Sequence, residues 1–104
     1  EGEEQDFRLF LRSLRITSKK GIGVELGSGS GEHLIQCARR FPGMHLFGFE
    51  LRFKRAVRTI EKAQRTENLS VLRTCSTRVS ELFPPGSIDA LYINFPDPWE
   101  KKRQ

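Results

Sequence analysis

The chain has 104 residues, of which 37% are hydrophobic and 30% are charged, a balance typical of one soluble globular domain rather than a disordered segment. Its apolar runs fall far short of the roughly 20 residues that a membrane-spanning helix needs, so we expect no membrane partner. The excess of 18 Lys and Arg over 13 Asp and Glu, a net charge of +5, favours a polyanionic partner.

The start of the chain and its cysteines predict a cytoplasmic location. No signal-peptide pattern opens the sequence, so no export is expected. Cys37 and Cys75 lack the spacing of a metal site, and we expect reduced thiols and no bound metal. His33 and His45 are interpreted as ordinary residues, because neither has a partner at metal or catalytic spacing. Nothing in the sequence indicates the oligomeric state.

The hydrophobic pattern predicts that helices and strands alternate along the chain. Apolar residues recur at helical spacing in three segments, and short apolar runs bounded by turn residues predict four buried strands. In the third helix we expect Phe53, Ala56, Val57, Ile60 and Ala63 to form the buried stripe. The predicted order is helix 7–14, strand 21–26, helix 32–41, strand 44–50, helix 52–66, strand 69–74, helical turn 79–83 and strand 88–93.

This order predicts an α/β fold, a Rossmann-like parallel sheet with helices on both faces. In such sheets, ligands bind at the carboxyl ends of the strands, where the strand order reverses. The unusual residues of this chain all follow predicted strands: a glycine loop after the first, Glu50 after the second, Cys75 after the third, and residues 94–99 after the fourth. We therefore expect the site at this edge.

The glycine loop "ELGSGSGEH" indicates a nucleotide-like ligand. Gly27, Gly29 and Gly31 allow a tight turn and a close approach of the ligand to the backbone. The dinucleotide fingerprint would place its third glycine at position 32, and Glu25 before the loop disfavours a pyrophosphate. S-adenosylmethionine is cationic and has no phosphate, so it fits better. Glu50 is expected to accept the ribose hydroxyls.

Three segments together, "ELGSGSG", "FGFELR" and "NFPDPWEKKR", resemble the bacterial tRNA (guanine-N7-)-methyltransferase family over residues 22–103. The resemblance implies a class I methyltransferase fold, of which this chain holds four strands of a larger sheet, with S-adenosylmethionine as cofactor and tRNA as partner. It implies Asp97 as the catalytic residue. The implied cofactor-binding residues are Glu25, Gly27, Ser28, Gly29, Gly31, Glu50, Leu51, Cys75, Asn94 and Asp97, and the implied substrate-binding residues are Lys101, Lys102 and Arg103.

The segment "NFPDPWEKK" carries the expected chemistry. Pro96 and Pro98 fix their own φ angles and restrict the conformation of Asp97 between them. Guanine N7 has a free lone pair at neutral pH and becomes cationic as the methyl group arrives, so a preplaced carboxylate would stabilise the developing charge. The basic residues Arg52, Lys54, Arg55 and 101–103 are expected to lie on the side from which a tRNA approaches.

The sequence departs from the family pattern in two respects. Family members usually carry Asp where this chain has Cys75. Similar proteins also continue past the position of Gln104, so residues 1–104 are expected to form a single cofactor-binding domain, truncated before the C-terminal strands. Two alternatives stay open: another class I RNA or amino-methyltransferase, since "NFP" loosely matches an N-P-P-Y/F loop, or a non-catalytic RNA-binding paralogue or subunit, which Cys75 would favour.

Overall fold

The computed structural model describes residue 7 and residues 9–12, which are helical, and residues 21–93. The segment that carries Asn94, Asp97, Lys101, Lys102 and Arg103 lies outside the described residues. In the described part, the elements are β1 (Ile22–Leu26), α1 (Glu32–Arg40), β2 (His45–Phe49), α2 (Phe53–Lys62), β3 (Leu69–Leu72), a 3₁₀ turn (Ser76–Arg78), α3 (Val79–Leu82) and β4 (Ala90–Ile93).

The four strands form one parallel sheet in the order β3-β2-β1-β4. The chain therefore builds outward from β1 to β3 and then crosses to the other side of β1 to add β4. The strand order reverses between β1 and β4, where Glu25 pairs with Gly48 on one side and Tyr92 on the other. This topology confirms the predicted Rossmann-like fold.

Successive strand residues point to opposite sides of the sheet, so both faces carry side chains to be buried. Helices or helical segments cover both faces. On one face, Val24, Phe47 and Phe49 are fully buried against Leu11 and Phe83. On the other face, residues of α1 pack on β2: Leu34, Cys37 and Ala38 bury Leu46. The two hydrophobic clusters fix the sheet and leave its carboxyl edge to form the site.

The predicted buried stripe of α2 is partly wrong. Ala56 and Ala63 are buried, but Phe53 is 62% exposed and Ile60 is 58% exposed. Thr59, which the apolar pattern omits, is completely buried. Helix α2 approaches the glycine loop closely, and only small side chains fit between them. Phe53 lies elsewhere, with the Arg73 guanidinium carbon 5.3 Å from the centroid of its ring.

The prediction that β4 is a buried strand is also wrong for the described part of the molecule. Leu91 and Ile93 are 52% and 51% exposed, and they alternate with partly buried neighbours. Among the described residues, β4 pairs with β1 alone. As predicted, Cys37 and Cys75 are free thiols. No helix in the described ranges is long and apolar enough to cross a membrane.

Candidate functional site at the carboxyl edge of the sheet

The glycine loop after β1 adopts a backbone conformation that ordinary residues rarely take. Gly27, Gly29 and Gly31 have φ angles of 73°, 60° and 87°, in the left-handed region that glycine enters without strain. A Cβ at position 29 would meet nothing within 4 Å, whereas a Cβ at position 31 would lie 2.5 Å from Cγ2 of Thr59. Gly29 therefore faces open space, whereas Gly31 packs against Thr59 of α2.

The backbone N–H groups of this loop are used inside the protein. Gly27 and Ser28 both donate to the Phe49 carbonyl, at 2.9 and 3.1 Å, and Gly31 donates to the Ser28 carbonyl at 3.0 Å. Gly29 donates to Oε1 of Glu50 at 2.8 Å. A pyrophosphate site needs such groups free to bind the phosphate oxygens. These four N–H groups are not free, so the loop is poorly suited to a phosphate.

Helix α2 holds the loop from behind. The Thr59 hydroxyl lies 3.3 Å from the Gly29 carbonyl oxygen and 3.0 Å from the Arg55 carbonyl oxygen, and it can donate its single proton to either. Nζ of Lys62 donates to the Ser30 carbonyl at 3.0 Å. Lys62 also pairs with the exposed Glu32 carboxylate at 2.6 Å. The sequence analysis missed both supporting residues, and the only signal for Thr59 was its position between two buried alanines, three residues after Ala56.

Glu50, at the end of β2, is a buried carboxylate that stays ionised. Its Oε1 accepts the Gly29 N–H, and its Oε2 accepts the Arg52 backbone N–H at 3.0 Å and the Arg52 Nε at 3.1 Å. Burial alone would raise the pKa of Glu50, but the hydrogen bonds from Arg52 and Gly29 outweigh it and hold the pKa below its ordinary value. The charged carboxylate therefore acts only as an acceptor at neutral pH.

A cavity of about 390 Å³ opens beside Glu50, a size within the range of roughly 300–1,000 Å³ typical of small-molecule sites. It brings together five of the predicted cofactor-binding residues: Gly27, Gly29, Glu50, Leu51 and Cys75. Its wall also includes Phe49, Arg52, Arg55, Thr74 and Ser76, which the predicted set does not contain. Glu25, Ser28 and Gly31 lie outside this wall.

Cys75 is exposed at this cavity, at the position where the sequence resemblance implies an acid. The Thr77 hydroxyl donates to its Sγ at 3.2 Å. This bond, together with the backbone N–H groups of Thr77 and Ser76, lowers the pKa of the Cys75 thiol. The environment thus stabilises the thiolate form of Cys75 relative to an ordinary thiol.

Glu25 is a residue of β1, and its side chain, which contacts His33 of α1, is 2% exposed. Its Oε2 is 3.1 Å from Nδ1 of His33, while its Oε1 has no hydrogen-bond partner among the described residues. Burial raises the pKa of Glu25, and the neighbouring His33 partly offsets the effect. The Ser28 hydroxyl is likewise buried without a partner in the described part of the chain. Buried polar atoms without partners are uncommon, and each needs an explanation, such as a bound water, an ion or a functional role.

Both histidines have hydrogen-bond partners, which the sequence did not predict. His33 contacts Glu25, as above, and Nε2 of His45 lies 2.8 Å from the Ser70 hydroxyl. His33 and Cys37 are one helical turn apart on α1, and this spacing was the only signal in the sequence for their 3.4 Å contact. The contact with Glu25 depends on the turn of the glycine loop, which brings the start of α1 back over the end of β1.

The remaining predicted site residues, Asn94, Asp97, Lys101, Lys102 and Arg103, lie outside the described residues. Their segment follows directly on Ile93, the last residue of β4, whose Cα partner in the sheet is Leu26 of β1. The sheet thus delivers the chain to the carboxyl edge beside β1 and Glu25. This is as far as the described residues reach toward the predicted catalytic segment.

Comparison with known proteins agrees with this architecture. Over 89 residues the chain is 42% identical to a tRNA (guanine-N(7)-)-methyltransferase of Thermotoga maritima, covering 82% of this chain and 28% of that protein. Over 81 residues it is 41% identical to a bifunctional glycosyltransferase/methyltransferase of Fusobacterium nucleatum, covering 76% of this chain and 13% of that protein. The chain therefore spans a minor part of the length of these curated relatives.

A solved structure shares the fold at low sequence identity. The SAM dependent methyltransferase from Aquifex aeolicus superposes with a TM-score of 0.62 at 15% identity, over 86% of this chain and 48% of that one. A sequence-family model described as "Putative methyltransferase" matches residues 19–104, which include the whole sheet and the whole glycine loop. The chain belongs to this methyltransferase family.

Proposed function

We propose that the chain is the cofactor-binding part of a cytoplasmic tRNA methyltransferase, which transfers the methyl group of S-adenosylmethionine to N7 of a guanosine in tRNA. The observation that carries this proposal is the placement of two buried carboxylates, Glu25 and Glu50, on either side of a glycine loop that offers few N–H groups to a phosphate. The family relationship and the sequence of residues 94–103 supply the choice of reaction and substrate.

The charges of the site and its unfilled hydrogen-bond acceptors fit this cofactor. S-adenosylmethionine carries a positive sulfonium, a positive ammonium group and no phosphate. Glu25 presents one buried oxygen without a partner, and buried anions are stabilised by a paired cation. We therefore assign the amino-acid end of the cofactor to Glu25 and its ribose to Glu50, with the adenine in the cavity beside Leu51 and Cys75.

Glu50 has limited capacity for the ribose in the described conformation. Oε2 already accepts two hydrogen bonds from Arg52, while Oε1 accepts one from Gly29. One lone pair of Oε1 stays open for a hydroxyl. The second hydroxyl would bind when the half-exposed Arg52 side chain swings out, which breaks the Nε contact and leaves the backbone contact in place.

The methyl group would come from the positively charged sulfonium of the bound cofactor. The chain's own contribution is to orient the cofactor through Glu25, Glu50 and the glycine loop, so that guanine N7 meets the methyl carbon in line. N7 needs no general base. We assign Asp97 the stabilisation of the charge that develops on the guanine, as the sequence suggests.

The surface beside the cavity suits a polyanionic substrate. Arg52 and Arg55 line the cavity wall, and the exposed side chains of Lys54 and Arg58 continue the positive charge along α2. Such cations supply sequence-independent affinity for a phosphate backbone. Together with Lys101, Lys102 and Arg103 they form the tRNA-binding surface of this proposal.

The test is to incubate the intact protein with S-adenosylmethionine and unmodified tRNA, digest the RNA and identify the methylated nucleoside by mass spectrometry. The proposal expects 7-methylguanosine from wild type and a loss of about a hundredfold or more in Asp97→Asn, the scale of one lost electrostatic contact to a transition state. Methylation of an exocyclic amine would favour the amino-methyltransferase alternative. Cofactor binding without any transfer would favour a non-catalytic RNA-binding protein.

A further inference from the structure

Only one of the two Glu25 carboxylate oxygens has a hydrogen-bond partner among the described residues. Oε2 is held by Nδ1 of His33 at 3.1 Å, and Oε1 has no partner among the described residues although the side chain is 2% exposed. A buried acceptor without a partner costs free energy, on the order of 1–3 kcal/mol. Oε1 is therefore an acceptor that no described residue fills.

His33 reaches this carboxylate from the start of α1 and is enclosed on two further sides. Its Nε2 lies 3.4 Å from Sγ of Cys37, and its ring stands edge-on to Tyr92 with 4.9 Å between centroids. Burial raises the pKa of the Cys37 thiol, so this group keeps its proton and can donate it to Nε2. With Nε2 as the acceptor, Nδ1 carries a proton and donates to Glu25.

The order thiol, imidazole, carboxylate is also that of a cysteine nucleophile with its base. The environment of Cys37 argues against this use. The side chain is buried, and burial together with the nearby Glu25 carboxylate raises the pKa of its thiol, whereas reactive cysteines have lowered pKa values and are accessible. The cluster therefore serves the carboxylate rather than the thiol.

We propose that His33 is a positioning residue that holds Oε2 of Glu25 so that Oε1 receives the ammonium group of the ligand. The proposal rests on the function proposed above.

The experiment is calorimetric titration of the intact protein with S-adenosylmethionine at one neutral pH. His33→Leu removes the contact to Glu25. His33→Asn keeps an N–H donor near the position of Nδ1. A second ligand, 5′-methylthioadenosine, lacks the amino-acid end and serves as the control.

His33→Leu should bind S-adenosylmethionine roughly tenfold more weakly than wild type, the scale of a lost hydrogen bond to a charged group. His33→Asn should recover most of that affinity. Binding of 5′-methylthioadenosine should be the same in all three proteins.

Two results would overturn the inference while leaving the proposed function intact. Either His33→Leu binds S-adenosylmethionine as tightly as wild type, or the variants lose affinity for 5′-methylthioadenosine to the same degree. If His33→Leu fails to fold, His33→Ala takes its place in the same comparison. Absence of any S-adenosylmethionine binding by wild type would instead overturn the proposed function itself.

Discussion

Glu50 and Gly29 join the ends of β2 and β1 through a 2.8 Å hydrogen bond from the Gly29 N–H to Oε1 of the buried carboxylate. The acid thus fixes the glycine loop and consumes a donor that a phosphate would otherwise bind. The same carboxylate stands in the wall of the cavity assigned to the ribose and adenine. A single side chain therefore links the conformation of the loop to the choice of cofactor.

Glu50→Ala should weaken binding of S-adenosylmethionine by about 1–3 kcal/mol, since it removes hydrogen bonds to a charged acceptor. It should also lower the free energy of unfolding, because the Gly29 N–H loses its partner. Calorimetry and chemical denaturation measure the two effects. The matched control is Glu81→Ala, which removes an exposed carboxylate paired with Arg78 away from the cavity and should change neither quantity appreciably. Unchanged affinity in Glu50→Ala would contradict the assignment.

Glu25→Gln should raise Tm at pH 7.5 while weakening cofactor binding. Burial raises the pKa of Glu25 in the folded protein, so the charged form costs stability at neutral pH, and this cost disappears as the pH falls through the raised pKa and the group protonates. The advantage of the variant should therefore shrink toward pH 4. Thermal melts across this range test the sign, and a variant that is less stable at pH 7.5 than wild type would show that the His33 contact outweighs burial.

Gly31→Ala should destabilise the protein more than Gly86→Ala. Both glycines have positive φ, at 87° and 78°, so both substitutions carry a similar backbone strain of about 1–2 kcal/mol. Only at position 31 would the new Cβ collide with a neighbour, Thr59, which is completely buried. The difference between the two free energies of unfolding isolates the contact of the loop with α2. Equal costs would mean that this contact relaxes freely.

Cys75→Asp should tighten cofactor binding if the site follows the family pattern, because Asp restores a full negative charge at the cavity wall. Cys75→Ser, which keeps the size and removes the ready ionisation, serves as the control. Calorimetric titration compares the three proteins. If affinity in Cys75→Asp is equal or weaker, the site has adapted to the thiol, and the departure from the family pattern has no cost.

Arg52→Ala should separate the two binding events. Loss of the Nε contact frees an acceptor position on Glu50, so affinity for S-adenosylmethionine should be unchanged or higher. Loss of a cation from the proposed tRNA surface should weaken tRNA binding and reduce the slope of log affinity against log salt by roughly one unit. Binding assays at several salt concentrations measure this slope. Arg39→Ala, on α1, is the control for a cation away from the cavity wall, and an equal change of slope there would argue against the surface.

The sequence predicted the features that follow from local pattern and chain order. Apolar runs and turn residues identified the four strands, and the rules for parallel sheets then placed Gly27, Glu50 and Cys75 at one edge. The tight turn at the loop glycines also followed from residue type, whereas the hydrogen bonds that Glu50 accepts from Gly29 and Arg52 were not predicted.

Features that depend on the distance between elements could not be predicted in this way. Helical periodicity identifies an apolar stripe, but it does not show how closely the helix approaches its neighbour, so the exposure of Phe53 and the burial of Thr59 came only from the structure. The contact between Glu25 and His33 depends on the path of the loop between them. Neither residue type nor spacing determines such a path.

The central claim is that the site binds a cationic nucleoside rather than a dinucleotide with its pyrophosphate. The most direct measurement is calorimetric titration of the intact protein with S-adenosylmethionine, followed by the same titration with NADH. The account predicts saturable binding of S-adenosylmethionine that Glu50→Ala weakens, with no detectable binding of NADH. Tight binding of NADH, with S-adenosylmethionine neither binding nor competing, would contradict it.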